Sequence, residues 1–149
     1  MEREFPQQPI VGVGAVAVRE GKVLLVRRAN PPMQGRWTLP GGVLELGESL
    51  TGSVAREVRE ETGLAVEVLD LVEVVERIDH EDAREGGRIR FHYIIADYLC
   101  RVVDGELHAS SDAAAAIWAV PSDFDALNLD PLTRQVSEKG LRLAAKHGF

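Results

Sequence analysis

Residues 48–63 set more carboxylates against one side of a helix than an ordinary surface helix carries. Glu48 and Ser49 stand near a helix start and Gly63 just past an end, so the spacing predicts a helix over residues 48–61. At about 100° per residue, with Leu50 at zero, Val54 and Val58 fall within about 80° and form an apolar stripe. Glu57 and Glu61 fall about 20° to either side of Leu50, overlapping that stripe, and Glu60 lies about 80° off it. A solvated run of charge belongs on the opposite side, where Arg59 falls. Glu57 and Glu61 are also like charges one turn apart, a pair that costs a few tenths of a kcal/mol. A divalent cation would offset that repulsion, and a ligand set made only of oxygen suits Mg²⁺ or Mn²⁺ better than zinc. Arg56, one turn before Glu60, is placed to hold that carboxylate. The angles alone leave a plainer alternative open, an acidic surface helix.

The wider spacing decides between them. Gly42 is followed after five residues by Glu48, and after seven more by Arg56-Glu57-Val58-Arg59-Glu60-Glu61-Thr62-Gly63-Leu64. Seven fixed positions at average residue usage match by chance on the order of once in a billion windows. The segment resembles the Nudix box. Gly35-Arg36-Trp37-Thr38-Leu39-Pro40-Gly41-Gly42 resembles the usual lead-in, and Trp118-Ala119-Val120-Pro121 the late strand and turn of that family. The resemblance implies an α/β/α sandwich with a mixed sheet between helices. It also implies Mg²⁺- or Mn²⁺-dependent hydrolysis of a nucleoside diphosphate linked to a further group.

By position within the box, the resemblance makes Glu57 and Glu61 direct metal ligands and Glu60 a ligand or a water-orienting group. Glu48 becomes a peripheral ligand, the Gly41 carbonyl a backbone ligand and Arg56 part of the catalytic set. The general base stays open, because family members differ in which carboxylate they use. Outside the box the candidates are Glu81, Asp82, Glu85 and Asp112. Gly52 departs from the small helix formers common at its position and should cost about 1 kcal/mol relative to alanine.

Around this segment the chain reads as one α/β domain over residues 1–149, with no repeat or linker. Residues 10–18 and 23–28 read as a hairpin, 29–35 as loop, 37–40 as a short extended piece and Gly41-Gly42 as a turn. Residues 66–75 and 89–100 are two further strands, residues 76–87 a polar loop, and 117–120 a short strand. A last helix, Pro131–Lys146, has Asp130 as its cap and Pro131 in its first turn. Gly140 interrupts it.

Twenty-four acidic residues against 17 basic ones leave a net charge of −7, which disfavours long nucleic acid as a partner. A small phosphate ester held through a metal remains compatible, since the cation reverses the local sign. The lone cysteine, Cys100, excludes an intrachain disulfide. No apolar run suits a signal peptide or a membrane span, so the expected compartment is the cytoplasm. Homodimerisation stays open.

Arg27 and Arg28 point to opposite faces of a strand, and Arg27 is taken as the one that clamps phosphate. Arg36 is a second phosphate candidate. Trp37 stacks on a base or else covers the core, the commoner role for a loop tryptophan. Phe91 and Tyr93 share a strand face and divide between base contact and core packing. The four histidines lack metal-ligand spacing. Substrate choice is expected from residues 76–87, residues 29–37 and the Phe91/Tyr93 face. The substrate class is a small nucleotide: ADP-ribose-like, a nucleotide sugar or a (d)NTP. Two competing readings are a catalytically inactive nucleotide-sensing module and an RNA-end pyrophosphohydrolase. The intact set of acids speaks against the first, and the negative charge against the second.

Overall fold

The computed structural model describes residues 3–82 and 87–149. Its central strand, β1 (Ile10–Arg19), is built from valine, alanine, glycine and isoleucine and is buried along most of its length. A strand covered on both faces needs apolar groups pointing both ways. The turn at Glu20-Gly21, both at positive φ, returns the chain into β2 (Lys22–Arg28), antiparallel to β1. Along its first half β1 pairs antiparallel with β4 (Gly41–Val43), and on its other edge parallel with β6 (Ile89–Asp104). β6 carries β5 (Ala65–His80) as the edge strand; β3 (Trp37–Thr38) and β7 (Ala113–Ala119) pair with β2.

Alternation along β1 divides the core in two. Val13, Ala15 and Ala17 pack with Val54 and Val58 of helix α1 (Leu50–Thr62). Val16 and Val18 pack on the opposite face with Val136 and Ala144 of helix α2 (Pro131–Lys146). This is a mixed sheet between two helices, the expected α/β/α arrangement. Among the described residues no helix is long and apolar enough to cross a membrane. Cys100 is buried, and burial pushes its thiol up to about 12, as befits a small apolar filler.

Several boundaries differ from the sequence reading, each for a local reason. The first helix starts at Leu50, because the Ser49 side chain accepts from Gly52 N at 3.0 Å and caps it; Glu48 stands before it. A Cβ at Gly52 would lie 2.8 Å from that same Ser49 oxygen, so glycine keeps the cap clear. Gly41-Gly42 is a strand rather than a turn, lying so close to β1 that a Cβ on Gly41 would sit 2.1 Å from the Val13 carbonyl oxygen. β5 runs on to His80 instead of ending at Val75: Glu76, Arg77 and Ile78 pair with Ile94, Tyr93 and His92, their charges turned to the open side or into a cleft. β7 begins at Ala113, its alanines held by pairing with β2 despite weak strand preference.

Candidate active site

The cap at Ser49 and the left-handed Gly63 at the other end set the phase of α1, so its acids face β4. The two glycines of β4 make room for them. A Cβ on Gly42 would lie 2.4 Å from Glu57 Oε1, and Gly41 N donates to Glu61 Oε2 at 3.1 Å. Glu61 is only 4% exposed. Burial pushes its carboxyl up to about 8, with the charges of Glu57 and Asp112 adding to the shift and Gly41 N–H and Arg28 opposing it. Burial also raises Glu57, against the pull of Arg56.

Arg56 gathers the remaining acids. Its Nε and Nη2 donate to the two Glu48 oxygens at 2.5 and 2.9 Å, and Nη1 reaches Glu57 at 3.0 Å and Glu60 at 3.2 Å. The fork on Glu48 holds that carboxyl down at about 2. The Arg56–Glu60 contact expected from the spacing is present, but Glu48 is the stronger partner. Glu60 is the most open of the three, its side chain 48% exposed. Among the described residues no three ligating side chains converge on one point.

No salt bridge among the described residues reaches Glu61. It lies beside the half-buried Glu57, and both carboxyls are raised even though Arg56 pairs with Glu57. A buried carboxylate with no cation paired to it, next to a second raised one, fits an oxygen-coordinated divalent cation, which would repay the desolvation.

The segment before β7 closes over the end of α1. His108 N donates to Thr62 O and Ser110 N to Glu61 O, each at 3.0 Å, and Ser110 Oγ donates to Glu60 O. These donors satisfy carbonyls that the helix end leaves free. Asp112 follows, its Oδ1 accepting from Asn30 Nδ2 at 3.1 Å, and its charge acts on both Glu57 and Glu61. Of the other carboxylates outside the helix, Glu81 pairs with Arg88 at 3.3 Å, Asp82 follows it, and Glu85 lies outside the described residues.

The arginine pair divides, with Arg28 and not Arg27 on the cavity. Arg28 lines a cavity of about 120 Å³ and donates to Pro32 O at 2.7 Å. Arg27 lies 5.9 Å from the Trp37 ring centroid, and a bulge in the β2–β7 pairing falls between the two arginines. Arg36 donates to Asn128 O at 2.8 Å, and Trp37 packs half-buried on the core. Neither lines the cavity. Tyr93 does, while Phe91, stacked on it at 6.2 Å, packs with it and Ile10 in one cluster.

The cavity lies on the α2 side of the sheet and shares β4 as a wall with the acids: Gly41 and Gly42 line it. At its depth is Asp97 of β6, a residue the sequence reading passed over. The available signal was its position in phase with Tyr93, Ile95 and Leu99, an acid on a buried strand face.

A NUDIX domain profile matches residues 8–139. An ADP-ribose pyrophosphatase of Methanocaldococcus jannaschii is 36% identical over 124 residues, 83% of this chain and 66% of that one, so the chain spans just under two thirds of that relative. A putative 8-oxo-dGTP diphosphatase of Mycobacterium tuberculosis is 35% identical over 126 residues, 84% of this chain and 82% of that one. The crystal structure of a MutT NUDIX hydrolase from Burkholderia pseudomallei superposes with a TM-score of 0.73 at 34% identity, covering 89% of this chain and 98% of that one.

Proposed function

This chain belongs to the Nudix family, and from that premise we propose that it is a pyrophosphohydrolase cleaving the diphosphate linkage of a small nucleotide. The observation that carries the reading is the pair of the buried Glu61 and the half-buried Glu57, set together against the β4 glycines with both carboxyls raised. Glu57, Glu61, Glu60, Glu48 and the Gly41 carbonyl would hold Mg²⁺ or Mn²⁺. Such a cation, when bound, neutralises the bridging phosphates and lowers the pKa of water.

The chain's own groups divide the remaining work. Arg56 fixes the positions of Glu48, Glu57 and Glu60 through its fork. Arg28, rather than Arg27, is the phosphate-facing cation, since it lines the cavity that borders the acids. Asp112 is the proton acceptor we favour, because its charge reaches both raised acids and Asn30 holds its carboxyl. Arg36 and Trp37 shape the loop beneath without meeting substrate.

The substrate field is an ADP-ribose-like compound, a nucleotide sugar or a (d)NTP, and relatives named for ADP-ribose and for 8-oxo-dGTP support its first and last members. The proposal takes residues 1–149 as one domain acting in the cytoplasm on small nucleotides. A nucleotide panel with Mg²⁺ and Mn²⁺, read by phosphate release and product identity, tests it. Absence of turnover on every member of the panel would overturn the reading.

A further inference from the structure

The cavity on the α2 side holds a carboxyl with nothing to bind. Asp97 is 4% exposed, and among the described residues no group hydrogen-bonds to its carboxyl. Arg77, whose charge acts on it, turns its Nη2 away, donating to Asp130 at 2.9 Å and to Thr133 Oγ1 at 3.1 Å. A buried acid left this way is costly, and a buried polar group is nearly always matched by a partner. The neighbouring strand is cut away to seat it. Gly14 lies opposite Asp97 in the parallel register, and a Cβ there would sit 2.0 Å from Asp97 Oδ1.

The surroundings describe the missing partner. Val75, Ile95, Leu132 and Val136 supply apolar walls, which suit the face of a flat ring. The same cavity is lined by Arg28 and by the β4 glycines, which stand one strand beyond Gly14 from Asp97 and border Glu57 and Glu61. A nucleotide with its phosphates on the β4 side of β1 would place its base toward Asp97. An ionised carboxylate only accepts, through two oxygens side by side. Its best match is a ring edge with two adjacent N–H donors.

Resting on the hydrolase reading for where the phosphates lie, we propose that Asp97 is a specificity-determining residue that accepts from the N1–H and 2-amino groups of a guanine-type base. Adenine offers one amino group beside a ring-nitrogen acceptor, which a carboxylate repels. A ribose diol also has two donors but lacks the flat face that the apolar walls fit.

The test compares GMP with IMP, which lacks only the 2-amino group, and with AMP, by calorimetric binding to the intact protein without turnover. The wild type should bind GMP at least tenfold tighter than IMP or AMP. In Asp97→Asn the GMP advantage should collapse to within about twofold, with AMP binding retained or improved, since an amide pairs with adenine. Steady-state kcat/KM on dGTP, dITP and dATP should follow the same order. Equal binding of GMP and IMP by the wild type overturns the proposal without need of any variant. So does a uniform loss across all bases in Asp97→Asn, which would mark a ribose contact or a structural role. Base discrimination without hydrolysis would sink the hydrolase reading while leaving Asp97 its role. Hydrolysis without base discrimination would do the reverse.

Discussion

The two helices cover opposite faces of one sheet, and they bury different things. Both start from an oxygen cap, Ser49 for α1 and Asp130 for α2. α2 buries Val136, Ala144, two hydroxyl residues and Gly140, which comes so close to β1 that a Cβ would sit 2.3 Å from a Val16 methyl. α1 buries Val54 and Val58 but also Glu61. Keeping that carboxylate ionised in place costs on the order of a few kcal/mol. One helix is packed for contact; the other holds charge where contact would be more stable. Where a fold accepts such a loss, a charged ligand is the physical reason to look for.

The largest expected effect attacks the charged face. Glu61→Gln or Glu57→Gln should lower turnover by at least ~100-fold, since each removes several kcal/mol of charge stabilisation. Denaturant melts of the same variants should show stability equal to or above the wild type. Near-normal turnover at saturating Mg²⁺ would erase the distinction between the helices.

Cation binding should come next. A metal that binds only the folded chain adds RT ln(1 + [L]/Kd), about 2.7 kcal/mol at 100 Kd. Tm should therefore rise with Mg²⁺ or Mn²⁺ in the wild type and rise less in Glu61→Gln. A flat response up to tens of millimolar would favour the inactive module.

Asp97 carries the same kind of loss to the α2 face. Burial pushes its carboxyl up to about 7, with Arg77 opposing and Glu73 adding, both from β5. A folded-state value above that of the unfolded chain leaves no penalty below about pH 4, and a growing one as the pH rises toward 7. Asp97→Asn should thus be more stable than the wild type at pH 8, by on the order of 4 kcal/mol, and equal to it near pH 4. Equal melts at pH 8 would mean the carboxyl has found a partner.

The smallest effect is at Gly52. Alanine there should add about 1 kcal/mol of helix preference while crowding the Ser49 cap, a bond of similar worth. Stability within about 0.5 kcal/mol of the wild type is expected from the two terms together. A full gain in urea unfolding would show that the cap contributes nothing.

Much of this was open to a reader of the chain, unevenly. The acids of α1 were legible because a helix phase places Glu57 and Glu61 without reference to the rest of the fold. Asp130-Pro131 marked the start of α2 because a cap is local. Gly41 and Gly42 were not legible as a strand, since residues without side chains carry no alternation and only β1 gives them a place. The alanines of β7 were silent for a related reason, their pairing with β2 being tertiary. For Arg27 and Arg28, parity showed that they part, but which one meets the cleft depended on the neighbours of β2. Asp97 was missed because a lone acid in a strand reads as a solvated one until the opposite face is known to be covered.

The parallel pairing of β1 with β6 has a consequence for the order in which the molecule forms. Ile10 meets Tyr93 and Val18 meets Arg101, so the central contact of the sheet joins distant stretches of chain. The β5–β6 and β1–β2 hairpins can each zip from their own turn, whereas this seam must await a long closure. Gly12 and Gly14 of β1 and Asp97 of β6 come together to line one cavity only once the seam is made. Pulse-labelled amide exchange during refolding should find β1 protected against β6 after the β5–β6 ladder; simultaneous protection would refute that order. A chain halted before the seam would hold most of its secondary structure and no closed binding cavity. Competence for nucleotide would then report completion of the fold.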